Sequence, residues 1–162
     1  VIENGGVSIE SKGGHAFMKE TMRKVNGIYG AEMSAHHFFR DFSFCDSGMI
    51  PWLLVVQIVS ETGKSLGQLI KDMKKNFPCS GEINLQVKNP AETLRRVKAS
   101  YQTQALEVET IDGLGFIFED WRFNIRRSNT EPLVRLNLET RGNYSLMEEK
   151  RDEILSLIKN IE

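Results

Sequence analysis

Residues 120–142 read DWRFNIRRSNTEPLVRLNLETRG. Strands are predicted over Phe116–Asn124 and Leu133–Glu139, with a polar loop between them that Pro132 ends. The loop holds one guanidinium, one hydroxyl, one amide and a second hydroxyl in Arg126, Ser128, Asn129 and Thr130. A guanidinium meets phosphate with a planar fork, and short polar side chains and turn N–H groups add donors. The loop therefore suits a phosphate clamp, and Arg135 on the next strand could add charge. Ser, Asn and Thr also make ordinary polar turns, a reading that leaves Arg126 and Arg127 unexplained.

Working outward, Glu82–Lys88 alternates, with Ile83, Leu85 and Val87 on one face. Asn89-Pro90-Ala91-Glu92 is a helix start with an Asn cap and Pro at the first position. A further strand is predicted over Leu106–Ile111, turning at Asp112-Gly113. Ser145-x-x-Glu148 reads as a capping box for a last helix with an apolar stripe of Met147, Ile154, Leu155, Ile158 and Ile161. Residues 82–162 thus read β-α-β-β-β-α, an α+β domain.

Residues 76–81, with Pro78, Ser80 and Gly81, form the best linker. The preceding half, residues 1–75, alternates strand and helix: a strand over Val7–Ser11, a helix over His15–Lys24, and a loop and strand over Ala31–Phe39. Asp46-Ser47 caps a helix over Met49–Ser60 that Gly63 ends, and a further helix covers Ser65–Lys74. That rhythm suggests part of a parallel α/β layer.

The chain has 162 residues, 21 basic against 22 acidic, and net charge −1. Bulk charge therefore argues against a nucleic-acid partner, while leaving room for a local anion pocket. The aromatic strand Phe116-Ile117-Phe118 lacks the flanking basic residues of an RNA platform. The longest apolar run, Met49–Val56, is far too short to span a bilayer. Cys45 and Cys79 stand apart without ligand spacing, which fits a reduced cytoplasmic setting rather than a zinc or disulfide framework.

Two other segments carry chemistry. Glu32, Ser34 and His36 share one side if their segment is extended. A carboxylate, a hydroxyl and an imidazole on one face suit polyol recognition, and His also moves protons near neutral pH. A half-buried edge strand with incidental histidines is the alternative. Lys12-Gly13-Gly14-His15 lies between strand and helix, where glycines admit a ligand and the helix N-terminus favours anions, although a plain βα turn looks the same.

The stretches GHAFMKETMR, IYGAEMSAHHFFRDFSFCDSGMIPWLLV, SGEIN and DWRFNIRRSNTEPLVRLNLETRG together resemble the C-terminal half of the α-D-phosphohexomutases, and among them the bacterial phosphomannomutases. The resemblance implies a partial three-layer α/β domain, incomplete before Val1, followed by the α+β domain. It implies that Glu32 and Ser34 bind the O3 and O4 hydroxyls of a hexose, that His15 contacts the ligand, and that His36 assists proton transfer as the catalytic residue. Arg126, Ser128, Asn129 and Thr130 would hold the phosphate. Gly13 stands where the family has Thr. Ala31 and Ala35 stand where it has glycines, and Ala would be strained there if φ is positive. Arg127 replaces a small residue.

The reaction implied is intramolecular phosphoryl transfer between C1 and C6, through a phosphoserine enzyme and a hexose 1,6-bisphosphate, feeding GDP-mannose synthesis. The phosphoserine loop and the Asp-rich Mg²⁺ loop of that family are not found here, so no metal ligands are assigned. The partners expected are the phosphosugar and the N-terminal domains of the same enzyme, without nucleic acid or membrane, and the fragment alone is expected to be inactive. The other function weighed is a stand-alone, non-catalytic phosphosugar-binding module.

Overall fold

A computed structural model describes residues 1–128 and 131–160, the side chain of Glu3 excepted. Contacts divide the chain into Val1–Leu66 and Gly67–Glu162.

In the first unit, α1 (His15–Val25) leads into a hairpin of β1 (Tyr29–Ala31) and β2 (His37–Phe39). β3 (Cys45–Asp46) flanks β2, and α2 (Met49–Thr62) follows. Asn26 ends α1 in the left-handed region (φ 51), its N–H returning to the Met22 and Arg23 carbonyls, a conformation Asn tolerates better than most residues. β1 packs directly on α1 at Gly30, where a Cβ would come within 2.8 Å of the Met18 and Met22 sulfurs. All three strands are antiparallel, unlike the parallel layer suggested by the alternation of elements. The strand predicted over Val7–Ser11 does not form. Val7 and Ile9 are 84% and 53% exposed, and an extended segment without a ladder partner leaves its backbone groups to water. Met22 and Phe38 are the only fully buried apolar side chains of this unit among the described residues.

α2 has Pro51 in its first turn and closes on Gly63 with φ 64, as its sequence predicts. The hydroxyl of Ser47 accepts from the N–H groups of Met49 and Ile50. Asp46, read as part of the cap, turns elsewhere.

The second unit continues α3 (Leu66–Asn76) into β4 (Ile83–Gln86), α4 (Pro90–Tyr101), β5 (Glu107–Glu109), β6 (Leu114–Ile117), β7 (Trp121–Arg127), β8 (Leu133–Thr140) and α5 (Tyr144–Lys159). The strands form one antiparallel sheet in the order β4-β8-β7-β6-β5. The expected strand Phe116–Asn124 is two strands, so this unit reads β-α-β-β-β-β-α after α3. The Phe118 N–H donates to the Trp121 carbonyl at 2.9 Å, closing a hairpin at Glu119-Asp120. The Phe118 and Trp121 rings stack across it with centroids 4.0 Å apart. Aromatic pairs of this kind stabilise a hairpin by roughly 0.2–1 kcal/mol.

Paired residues decide which face is which. Phe123 opposes Leu138 and Ile125 opposes Leu136; all four are buried with Val97 and Tyr101 of α4 and Ile154 and Ile158 of α5. Alternation puts Arg122, Asn124 and Arg126 on the opposite face. Phe116 is fully buried within this core, so it offers no stacking platform. The residues Pro78–Ser80 run beside β8, with the Thr140 N–H on the Pro78 carbonyl and the Ser80 N–H on the Leu138 carbonyl, both at 2.9 Å.

Candidate functional site

Glu32–His36 is not extended. The Ala35 N–H donates to the Glu32 carbonyl and the Glu32 N–H to the His36 carbonyl, each at 3.0 Å. This closes the hairpin between β1 and β2 with Ala35 left-handed at φ 64, the geometry of a short hairpin loop whose last residue is left-handed. Ala31 keeps an ordinary φ, so the strain anticipated for two alanines falls on Ala35 alone.

The loop gathers side chains from three elements. The Glu32 carboxylate accepts the N–H of Gly14, whose φ of 121 favours glycine. His15, the first residue of α1, places Nε2 2.7 Å from Nδ1 of His36. Asp46 at the end of β3 lies 3.5 Å from His15 Nδ1 and 3.6 Å from His36 Nδ1. Lys19 reaches the same carboxylate at 3.8 Å. The His15 ring stands edge-on to buried Phe38, centroids 5.1 Å apart. Ser34, His36, Asp46 and Ser47 line an open depression of about 200 Å³. His15, Glu32 and His36 are thus brought together, with Ser34 on the same depression. His37 is occupied on the hairpin by the Tyr29 hydroxyl at 2.6 Å.

The sequence reading missed Asp46 because Asp-Ser before a helix is an ordinary cap pattern. Mg²⁺ does not fit this cluster. It prefers octahedral oxygen ligands and retained water, whereas the one metal-capable group among the described residues offers two imidazoles and a carboxylate.

In the second unit, Arg126 lies on β7 rather than in the loop beyond it, on the face opposite α4 and α5. Its guanidinium meets Glu82 at 3.3 Å and Asp112 at 4.0 Å. Arg135, directly opposite on β8, meets the other Glu82 oxygen at 3.7 Å. Like charges facing each other across strands repel, and the Glu82 carboxylate offsets that. No local signal marks Glu82 for this role. Ser128 donates its N–H to the Leu133 carbonyl at 2.9 Å, and its hydroxyl accepts the Glu131 N–H at 3.3 Å. Asn129 and Thr130, the other two expected phosphate-binding residues, lie outside the described residues.

Arg127 takes the helix-bearing side. Together with Ser128 it lines a depression of about 430 Å³ against Asn89, Pro90 and Ala91 at the start of α4. There the Asn89 side chain accepts the Glu92 N–H at 3.1 Å, the predicted cap. The two adjacent arginines therefore serve opposite faces of the sheet.

Comparison with known proteins bears on both units. Residues 1–77 match the family described as Phosphoglucomutase/phosphomannomutase, alpha/beta/alpha domain III. Residues 82–157 match Phosphoglucomutase/phosphomannomutase, C-terminal domain. The chain is 55% identical to a phosphomannomutase of Salmonella montevideo over 156 residues, covering 96% of this chain and 34% of the relative. It is 54% identical to a phosphomannomutase of Escherichia coli strain K12 over 154 residues, covering 95% and 34%. A phosphohexose mutase of Xanthomonas campestris pv. campestris strain B100 is 50% identical over 159 residues, covering 98% and 36%. A solved phosphoglucomutase/phosphomannomutase family protein from Burkholderia thailandensis matches with a TM-score of 0.72 at 25% identity, over 98% of this chain and 34% of that one. The chain spans about a third of the length of these relatives. The two domain matches occur in order and leave few residues uncovered, so the chain belongs to the phosphoglucomutase/phosphomannomutase family and carries its domain III followed by its C-terminal domain.

Proposed function

We propose that this chain is the sugar- and phosphate-recognising part of a phosphomannomutase, or of a dual phosphomannomutase/phosphoglucomutase. It would interconvert hexose 6-phosphate and hexose 1-phosphate through a phosphoserine enzyme and a 1,6-bisphosphate. The observation that carries this reading is the short loop that gathers Glu32 and His36 beside Gly14 and His15. A carboxylate fixed by a backbone N–H can still accept hydrogen bonds from adjacent ring hydroxyls, with Ser34 adding a donor. His36 is assigned to proton transfer at the reacting hydroxyl. Mannose and glucose share O3 and O4, so this loop accepts both.

Arg126, Ser128, Asn129 and Thr130 are assigned to the phosphate, which charge and donors hold without reading the ring. We assign the division between the two roles to residues 76–81 on their linker composition; the first domain match ends at residue 77 and the second begins at residue 82. Phosphoserine and Mg²⁺ chemistry is assigned to other domains of the enzyme, and no step here runs through the ion. No described helix is long and apolar enough to cross a membrane. We place the enzyme in the cytoplasm, on the route to GDP-mannose.

Titration of the chain with mannose 1-phosphate tests the assignment. Glu32→Gln and Arg126→Ala should each weaken binding about 10-fold or more while circular dichroism stays unchanged, as expected for loss of a charge-assisted hydrogen bond. Unchanged affinity in both variants would overturn the reading. In a coupled mutase assay with a bisphosphate activator, the chain alone should show no turnover.

A further inference from the structure

We propose that His15, Glu32 and His36 form a site for one borderline transition-metal ion such as Zn²⁺, and that this ion excludes the sugar. The ligating atoms of the three side chains lie within 4.8 Å of one another. Two of them, His15 Nε2 and His36 Nδ1, are already 2.7 Å apart. Around tetrahedral Zn²⁺ at about 2.0–2.1 Å, neighbouring ligand atoms sit roughly 3.3 Å apart. The two rings therefore need only small outward shifts, and His15 is exposed while Glu32 and His36 are half-buried. Two imidazoles and one carboxylate make a donor set for Zn²⁺ or its neighbours, whereas Mg²⁺ prefers oxygen.

The supporting groups are also in place. Zinc-binding His commonly turns its other ring nitrogen to a carboxylate, which fixes the ring and raises its basicity. His15 does this here: Nε2 faces His36 while Nδ1 faces Asp46 at 3.5 Å. Glu32 is held by the Gly14 N–H. Lys19, 3.8 Å from Asp46, is a nearby cation that opposes a metal. With three protein ligands, a fourth position stays open to water. The ion takes the place of the proton shared between the two imidazoles. Exclusion of the sugar rests on the assignment of Glu32 to ring hydroxyls; the metal site itself does not.

Calorimetric titration of Zn²⁺ into the 162-residue chain tests the site. A Cys45→Ser, Cys79→Ser background removes the two free thiols, which would otherwise compete. One ion should bind with a Kd on the order of micromolar. His15→Ala and His36→Asn should each weaken it about 10-fold or more, while His37→Ala should leave it unchanged. Co²⁺ should show the visible absorption of a low-coordinate nitrogen and oxygen site, lost in His15→Ala. Absence of saturable binding, or binding that survives both histidine changes with the fold intact, overturns the site. If Zn²⁺ binds as expected but mannose 1-phosphate does not compete with it, the site stands and the exclusion is overturned.

Discussion

Ala35 sits left-handed, φ 64, at the end of the loop that presents Glu32 and His36. A side chain there costs roughly 1–2 kcal/mol, and glycine would give back about 0.5–1 kcal/mol in unfolded-chain entropy. Ala35→Gly should therefore stabilise the first unit by about 0.5–1 kcal/mol, seen as a higher melting temperature. A lower one would mean that the Ala35 methyl makes contacts worth more than the strain. The departure from the family's glycines is visible in the sequence, but only the folded loop says which alanine is strained. Glu32, Ser34 and His36 were legible as candidate chemistry because a carboxylate, a hydroxyl and an imidazole stand at alternate positions, and His15 only through the family resemblance. Asp46 and Glu82 were not. Each acts through partners far away in sequence, and locally Asp46 is indistinguishable from a cap.

Helix ends show the same limit for whole elements. The Ser145-x-x-Glu148 box placed the cap of α5 on Ser145, yet Asn143 provides it, its side chain accepting the Leu146 N–H at 2.9 Å. Thr140 secures that turn by donating its hydroxyl to the Asn143 carbonyl at 2.7 Å. Asn143→Ala should cost about 1 kcal/mol in denaturant unfolding, and Ser145→Ala a few tenths. Equal effects would contradict the assignment. The elements of the second half were largely legible because alternation and caps are local signals. The split of Phe116–Asn124 was not, since Glu119-Asp120 is not a turn pair of the familiar glycine-containing kind.

The α4–α5 contact carries a pH signature. The Tyr101 hydroxyl donates to Glu153 at 2.8 Å. Burial first, and then that hydrogen bond, push its pKa up from 10. The folded state thus holds the neutral phenol while the unfolded chain ionises near pH 10. The stabilisation is fully present below pH 10 and is lost as pH climbs from there towards the raised folded value. Denaturant curves from pH 8 to pH 11.5 should fall on the alkaline side. Tyr101→Phe should flatten that fall and cost about 1 kcal/mol at neutral pH.

On the scale of the whole molecule the two units differ in kind. The sheet of the second unit is covered by α4 and α5 around a continuous apolar cluster. The first unit keeps Met22 and Phe38 dry and leaves α2 with no buried residue among those described, Trp52 and Leu53 being 57% and 56% exposed. Amide exchange should be slow in β7 and β8 and fast in β1, β2 and α2; protection of α2 equal to that of β8 would contradict this. This imbalance was not legible in the sequence. An apolar helix such as Met49–Ser60 reads from sequence as a buried one.

The exposure of α2 also governs how the first unit responds to perturbation. Denaturant slope and unfolding heat capacity both scale with the apolar surface newly wetted on unfolding, and in α2 much of that surface is already wet. Melting of this unit should therefore be broad, with little change in baseline heat capacity and a shallow urea dependence, beside a sharp transition from the second unit.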